Sequence, residues 1–320
     1  MKTKSCFRRR SLILAVIALF NAIAAVFFLD PFKVNGCEAA NDYIVLQVQD
    51  NKDEPNYAGF KLKKNDNSKS DMLTYSQFYS SFATVSINGK VSLFSEGEKV
   101  KDVYTDNDGS IVSVQNFDGI EITQRLSFAT GNSKRADMLN IVYTAKNNTD
   151  AEVLVSVRLL IDPTLENSES DPVIANEISC INETVLTGDN IPKTWCIRSG
   201  QGDIKAYGIS SDGKSEPDIF QAANWNNLYN NRFDYTVDEG MGITDNAVAL
   251  TWSDRKVSSG GEFSCGTKYG LYSKEDSEYS DAKMNSPKTG DNIGSIFAFL
   301  SISLFIAALL LRKRGEYENE

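Results

Sequence analysis

Residues 120–128 read Ile-Glu-Ile-Thr-Gln-Arg-Leu-Ser-Phe, and residues 153–159 read Val-Leu-Val-Ser-Val-Arg-Leu. Apolar side chains at every second position mark a strand with one wet face, because successive residues of a strand point to opposite sides. Similar short runs recur at residues 43–48, 83–87, 90–94, 111–114, 139–145, 247–252 and 262–269, bounded by Asn, Asp and Gly. Asn88-Gly89 and Asp118-Gly119 are tight-hairpin signals, and residues 147–150 link two strong strands. Helix signals are few and no Pro/Gly-rich linker divides the region. The pattern predicts an all-β fold: one large antiparallel β-sandwich over residues 40–272.

The flanks are of another kind. Lys2, Lys4 and Arg8–Arg10 precede an apolar run over residues 12–29, which Asp30-Pro31 ends. This reads as an N-terminal signal helix occupying residues 1–39, with cleavage at Ala39 or Ala40; an uncleaved anchor is the alternative. Residues 273–285 are polar and read as a spacer. Residues 286–320 contain an apolar stretch over 293–311 followed by Arg312-Lys313-Arg314. At about 1.5 Å per residue this stretch spans roughly 28 Å, enough for a transmembrane helix held by its basic end on the cytoplasmic side.

Ahead of that stretch stand Ser286, Pro287, Lys288, Thr289 and Gly290. The order of motif, apolar span and basic tail resembles the cell-wall sorting signal of Gram-positive surface proteins, in a clostridial-type variant with serine where leucine is commonest. The resemblance implies an exported precursor that a sortase cuts between Thr289 and Gly290. The Thr289 carbonyl is then joined covalently to peptidoglycan at the cell surface, and the membrane helix holds the chain only until sorting.

Composition narrows the chemistry. A net charge of -10 excludes nucleic acid as a natural partner. There is no histidine, so Ser-His-Asp and Cys-His catalysis and histidine-ligated zinc are ruled out. No Cys-x-x-Cys spacing occurs. Cys180, Cys196 and Cys265 read as buried thiols, with a Cys180–Cys196 disulfide as the alternative.

Carboxylates remain available. Asp162, Glu166, Glu169 and Asp171 cluster after the strongest strand, where they read as a solvated loop, a calcium site or a paired acid and base. Trp225, Tyr229 and Tyr235 sit among amides and suit either stacking on sugar rings or core filling. Asp106-Asn107-Asp108-Gly109 has the look of a calcium loop but lacks the first and last ligands, so it reads as a turn.

Residues 162–165, 245–252 and 269–271 resemble segments of uncharacterised clostridial surface proteins. That likeness implies a sandwich, with the galactose-mutarotase-like supersandwich among its forms. The leading functional expectation is a non-catalytic adhesin or glycan- or matrix-binding module, not an enzyme, needing no cofactor beyond a candidate calcium. The alternatives are a carbohydrate-active hydrolase or epimerase using acidic residues, with Glu166, Glu169 and Asp171 as its candidates, and a passive surface coat.

Overall fold

The computed structural model describes residues 36–271 except residues 55, 66–71, 132–133, 166–167 and 200–204. The predicted signal helix, membrane helix and sorting motif lie outside the described residues, as does Glu166. Among the described residues no helix is long and apolar enough to cross a membrane.

In chain order the strands are β1 (Cys37–Ala40), β2 (Ile44–Val48), β3 (Phe60–Lys64), β4 (Phe82–Ile87), β5 (Lys90–Leu93) and β6 (Glu98–Thr105). They continue with β7 (Ile111–Phe117), β8 (Ile120–Ala129), β9 (Met138–Asn147), β10 (Val153–Ile161), β11 (Val173–Ala175) and β12 (Ile178–Cys180). The last are β13 (Thr184–Thr187), β14 (Thr194–Arg198), β15 (Lys205–Ile209), β16 (Ile219–Asn224), β17 (Asn246–Val257) and β18 (Glu262–Leu271). One short α-helix, α1 (Trp225–Asn231), follows β16.

A six-stranded sheet runs β13-β16-β17-β10-β4-β5, a nine-stranded sheet runs β12-β11-β14-β15-β18-β9-β8-β7-β6, and β1-β2-β3 form a small third sheet. Every pairing is antiparallel. The expected all-β, sandwich-like architecture is therefore present. The expected boundary at residue 39 falls inside β1, whose Cys37 and Ala40 pair with Val48 and Val45 of β2.

The hairpins form where the sequence placed them. Asn88 and Gly89 (φ 49° and 85°) join β4 to β5, and Asp118 and Gly119 (φ 51° and 93°) join β7 to β8. Two successive positive φ angles give a turn whose twist matches that of its flanking strands. The 106–109 segment is the turn between β6 and β7. Arg125 spans it, bonding Asp106 at 2.8 Å and Asp108 at 2.6 Å. The Ser110 backbone N–H and then the Arg125 guanidinium pull the Asp108 carboxyl down to about 2.

The main apolar core brings Val155, Val157, Leu159 and Ile161 of β10 into one cluster with Ile122, Leu126, Ile141 and Trp195 of the other large sheet. Trp195 stacks on Tyr269, with centroids 5.4 Å apart and planes 15° apart. Its cross-strand partner must be Gly208, since a Cβ there would lie 2.1 Å from the indole. Cys37, Cys180, Cys196 and Cys265 form no disulfide.

β10 departs from its predicted wet face. It lies between β17 and β4, and α1 covers its outer side. Arg158 and Leu160 are each only 1% exposed, and the Arg158 Nη1 donates to the Leu228 carbonyl at 3.1 Å. This covered outer face leads directly to the candidate site.

Candidate active site

Four chain segments meet at one end of the six-stranded sheet. β10 runs out into Asp162, β17 starts after Asp245, β16 passes into Trp225 of α1, and β4 is preceded by the segment carrying Tyr75 and Tyr79. Between them is a pocket of about 150 Å³ lined by Tyr75, Tyr79, Asp162, Glu169, Trp225, Asn226 and Asp245.

Asp162 lies deepest, at 4% exposure. Its backbone is fixed on both sides: the N–H donates to Ser81 Oγ at 3.0 Å, and the carbonyl accepts from Tyr75 N–H at 2.9 Å. The side-chain Oδ1 has no hydrogen-bond partner. Burial, and after it the charge of Asp245, raises the Asp162 pKa well above the carboxylate range, favouring the protonated acid. Asp245 is pushed up to about 6 by burial and by the neighbouring Glu169 charge. Asn246 holds Glu169 in place, because its N–H and Nδ2 both donate to the Glu169 carbonyl, at 2.6 and 3.0 Å.

An aromatic wall completes the pocket. Trp225 Nε1 donates to the Ser80 carbonyl at 3.1 Å, which fixes the indole. Its ring stacks on Tyr229 at 4.6 Å and meets Tyr79 edge-on at 6.0 Å.

A second carboxylate stands behind this wall. Glu183 is 1% exposed and accepts hydrogen bonds from the Asn224 N–H (3.0 Å), Asn224 Nδ2 (2.9 Å), Asn227 Nδ2 (2.8 Å) and the Tyr235 hydroxyl. Burial alone would raise its pKa, but these donors reverse the effect and lower it. Asn224 carries the order onward: its Oδ1 accepts from the N–H of Thr244 at 2.9 Å and of Asp245 at 3.3 Å.

The structure thus brings Asp162, Glu169 and Trp225 together from the predicted residues. Tyr229 backs the indole, and Tyr235 turns to Glu183. Asp171 is buried near β11 and does not line the pocket; its carbonyl accepts from Asn246 Nδ2 at 2.8 Å. Of the four carboxylates read as a calcium site, Glu166 lies outside the described residues. Among the described residues no three or more His, Cys, Asp or Glu are grouped to hold a metal. Tyr75, Tyr79 and Asp245 were missed as site residues, being separated in sequence from the acidic run; Asp245 was visible only as the residue ahead of a strong strand.

A larger cavity of about 580 Å³ lies at the other end of the same sheet, lined by Ile87, Phe117, Ile120 and Val153 among others. Two of its acids are already engaged: Glu96 accepts from Leu93 N–H at 2.8 Å and Asp118 pairs with Lys90 at 2.9 Å. None of its described lining residues has a buried polar side-chain atom without a partner.

No family model and no curated protein matches the chain. Solved structures similar to it include a galactose mutarotase related enzyme from Lactobacillus acidophilus, at 10% identity and TM-score 0.44 over 75% of this chain and 98% of that one. A putative aldose 1-epimerase from Escherichia coli K12 aligns at 8% identity and TM-score 0.44 over 74% of this chain and 99% of that one. A heparan sulfate lyase HepC mutant from Pedobacter heparinus aligns at 10% identity and TM-score 0.39 over 80% of this chain and 41% of that one. The expectation of a non-catalytic adhesin or binding module that is not an enzyme is corrected, since these neighbours carry the names of a mutarotase-related enzyme, a putative aldose epimerase and a heparan sulfate lyase. At TM-scores below 0.5 they carry nothing about mechanism, which is read from the pocket alone.

Proposed function

We propose that the domain is a carbohydrate-active enzyme that moves protons at the anomeric carbon of one sugar residue. The observation that carries this reading is Asp162: a buried carboxyl with an unpartnered oxygen at the floor of a pocket walled by Trp225 and Tyr79. Sugar rings present an apolar face suited to an indole and hydroxyls suited to carboxyls and amides. At about 150 Å³ the pocket is too small for a run of sugars, so it suits at most one ring entering from a chain end or from solution.

Carboxyls whose environments drive their pKa values apart can divide the roles of acid and base. Asp162, held protonated, donates to the ring or glycosidic oxygen. A second carboxylate, Asp245 or Glu169, takes the proton from the attacking water or from the anomeric hydroxyl. The intact chain should interconvert the anomers of free aldoses, read by NMR, or release sugar from glycosides. Asp245→Asn should lower kcat about 100-fold or more, as for loss of a general acid or base. Full activity in the Asp162→Asn, Asp245→Asn double variant would overturn the reading.

Export, sorting and a supersandwich form belong to the same proposal. The support for sorting is the order Pro287-Lys288-Thr289-Gly290, apolar residues 293–311, then Arg312-Lys313-Arg314. The support for the supersandwich is the width of the two facing sheets, six strands against nine. Displayed in this way, the enzyme meets glycans outside the cell. Mass spectrometry of muramidase-released wall fragments should find the chain ending at Thr289 on a peptidoglycan amine. An intact C-terminal tail on the mature protein would refute the sorting.

A further inference from the structure

The charge of the pocket narrows its ligand further than its shape does. Asp162 and Glu169 come from the connection between β10 and β11 and Asp245 from just before β17, and no described lysine or arginine lines the pocket. Their fields overlap: Asp245 and Glu169 both act on Asp162, and Glu169 acts on Asp245. Crowding carboxyls together without a cation is costly, and a protein usually compensates with an arginine or lysine. Here the carboxyl oxygen left without a partner belongs to a side chain 4% exposed, so neither solvent nor a neighbouring group meets its demand. The walls are electron-rich rings: Tyr75, Tyr79 and Trp225. Ring faces and edge-clustered carboxyls together form a surround that attracts an ammonium group.

We infer that the site takes a sugar bearing a free primary amine, a hexosamine without its acyl group, whose ammonium sits among Asp162, Glu169 and Asp245 beside Trp225. This inference rests on the sugar-site reading above and adds the substrate class. An uronic acid or sulfated sugar would bring a like charge beside Glu169 and Asp245. A neutral sugar would give the Asp162 oxygen a hydroxyl donor but leave Glu169 and Asp245 without a counter-charge.

Binding should be linked to pH. The groups facing Asp245 are Glu169 from the loop before β11, Asp162 at the end of β10, and Tyr75 and Tyr79 ahead of β4. A cation prefers the ionised form, so binding expels the proton that Asp245 holds below about pH 6. Affinity is therefore expected to rise from pH 5 to pH 7.

Calorimetry on the intact chain would use D-glucosamine, N-acetyl-D-glucosamine, D-glucose, D-glucuronate and lysine methyl ester as probes. The inference predicts glucosamine binding at least about tenfold tighter than the N-acetyl form at pH 7. That preference should shrink at pH 5 and be lost in Glu169→Gln or Asp245→Asn; Glu169 is exposed, so its change spares the fold. Equal binding of glucose or N-acetylglucosamine, or best binding of glucuronate, would overturn it. Lysine methyl ester binding as tightly as glucosamine would overturn the sugar assignment. Turnover of neutral aldoses without amine preference would sink this inference while leaving the acid–base reading. Amine-selective binding without turnover would do the reverse.

Discussion

Glu183 and Asp162 are two carboxyls at the same end of one sheet, 1% and 4% exposed, and their pKa values move in opposite directions. Burial pushes both pKa values upward. Glu183 has four donor contacts from Asn224, Asn227 and Tyr235, so its charged form is solvated by the protein. Asp162 has an oxygen with none, and like charges beside it. Burial sets the cost of a charge, and the donors around it decide whether the charge persists. Glu183 is built as a finished structural joint, whereas Asp162 is built incomplete, with its missing partner supplied from outside the chain.

The largest effect that would sharpen this contrast is on stability. Glu183→Ala strands the Asn224 and Asn227 amides and the Tyr235 hydroxyl, and hydrogen bonds to a charged acceptor contribute about 1.5–3 kcal/mol each. Allowing for non-additivity, the loss should reach about 3 kcal/mol or more in denaturant unfolding. Asp162→Asn should change stability by less than about 1 kcal/mol, since it removes an unfavourable burial and breaks no side-chain bond to Oδ1. If the two substitutions cost the same, the distinction between joint and site is wrong. The acid side gives an independent check. A lowered folded pKa means that Glu183 stabilises above its unfolded value of 4.5 and loses that contribution as pH falls through the folded value.

The frame of the fold was legible because it follows local rules. The Asn88-Gly89 and Asp118-Gly119 turns required positive φ angles, and β8 shows the alternating burial that its period of two dictates. β6 was not legible. It is a bulged edge strand, Glu-Lys-Val-Lys-Asp-Val-Tyr-Thr, whose charges suit an exposed edge and hide its period. The outer face of β10 was misread as wet because nothing local announces that α1 folds over it. The site was half legible for the same reason. Asp162 and Glu169 stood out as an acidic run and Trp225 as an aromatic among amides, each visible in a few residues. Tyr79 and Asp245 become neighbours of Asp162 only through the pairing of β10 with both β4 and β17, a long-range fact. Asn224 and Asn246, which hold Asp245 and Glu169, gave no signal at all.

A smaller effect tests the other half of the contrast through proton linkage. Asp245 has a folded pKa near 6 against an ordinary value of 3.8, so the folded protein binds the extra proton. The sign is then opposite to that of Glu183: this group makes stability fall as pH rises from about 4 through about 6, and it contributes no slope beyond. Because Asp245 is only part-buried, solvent screening keeps the change modest. Asp245→Asn should flatten the stability profile between pH 4 and pH 6 without altering the acid loss that Glu183 causes at lower pH. Glucosamine should produce a related flattening over the same interval, between pH 4 and pH 6, by holding Asp245 ionised in the folded state. A profile that is unchanged in Asp245→Asn would mean that the carboxyls do not share one field, and the pocket would then have no special reason to seek a cation.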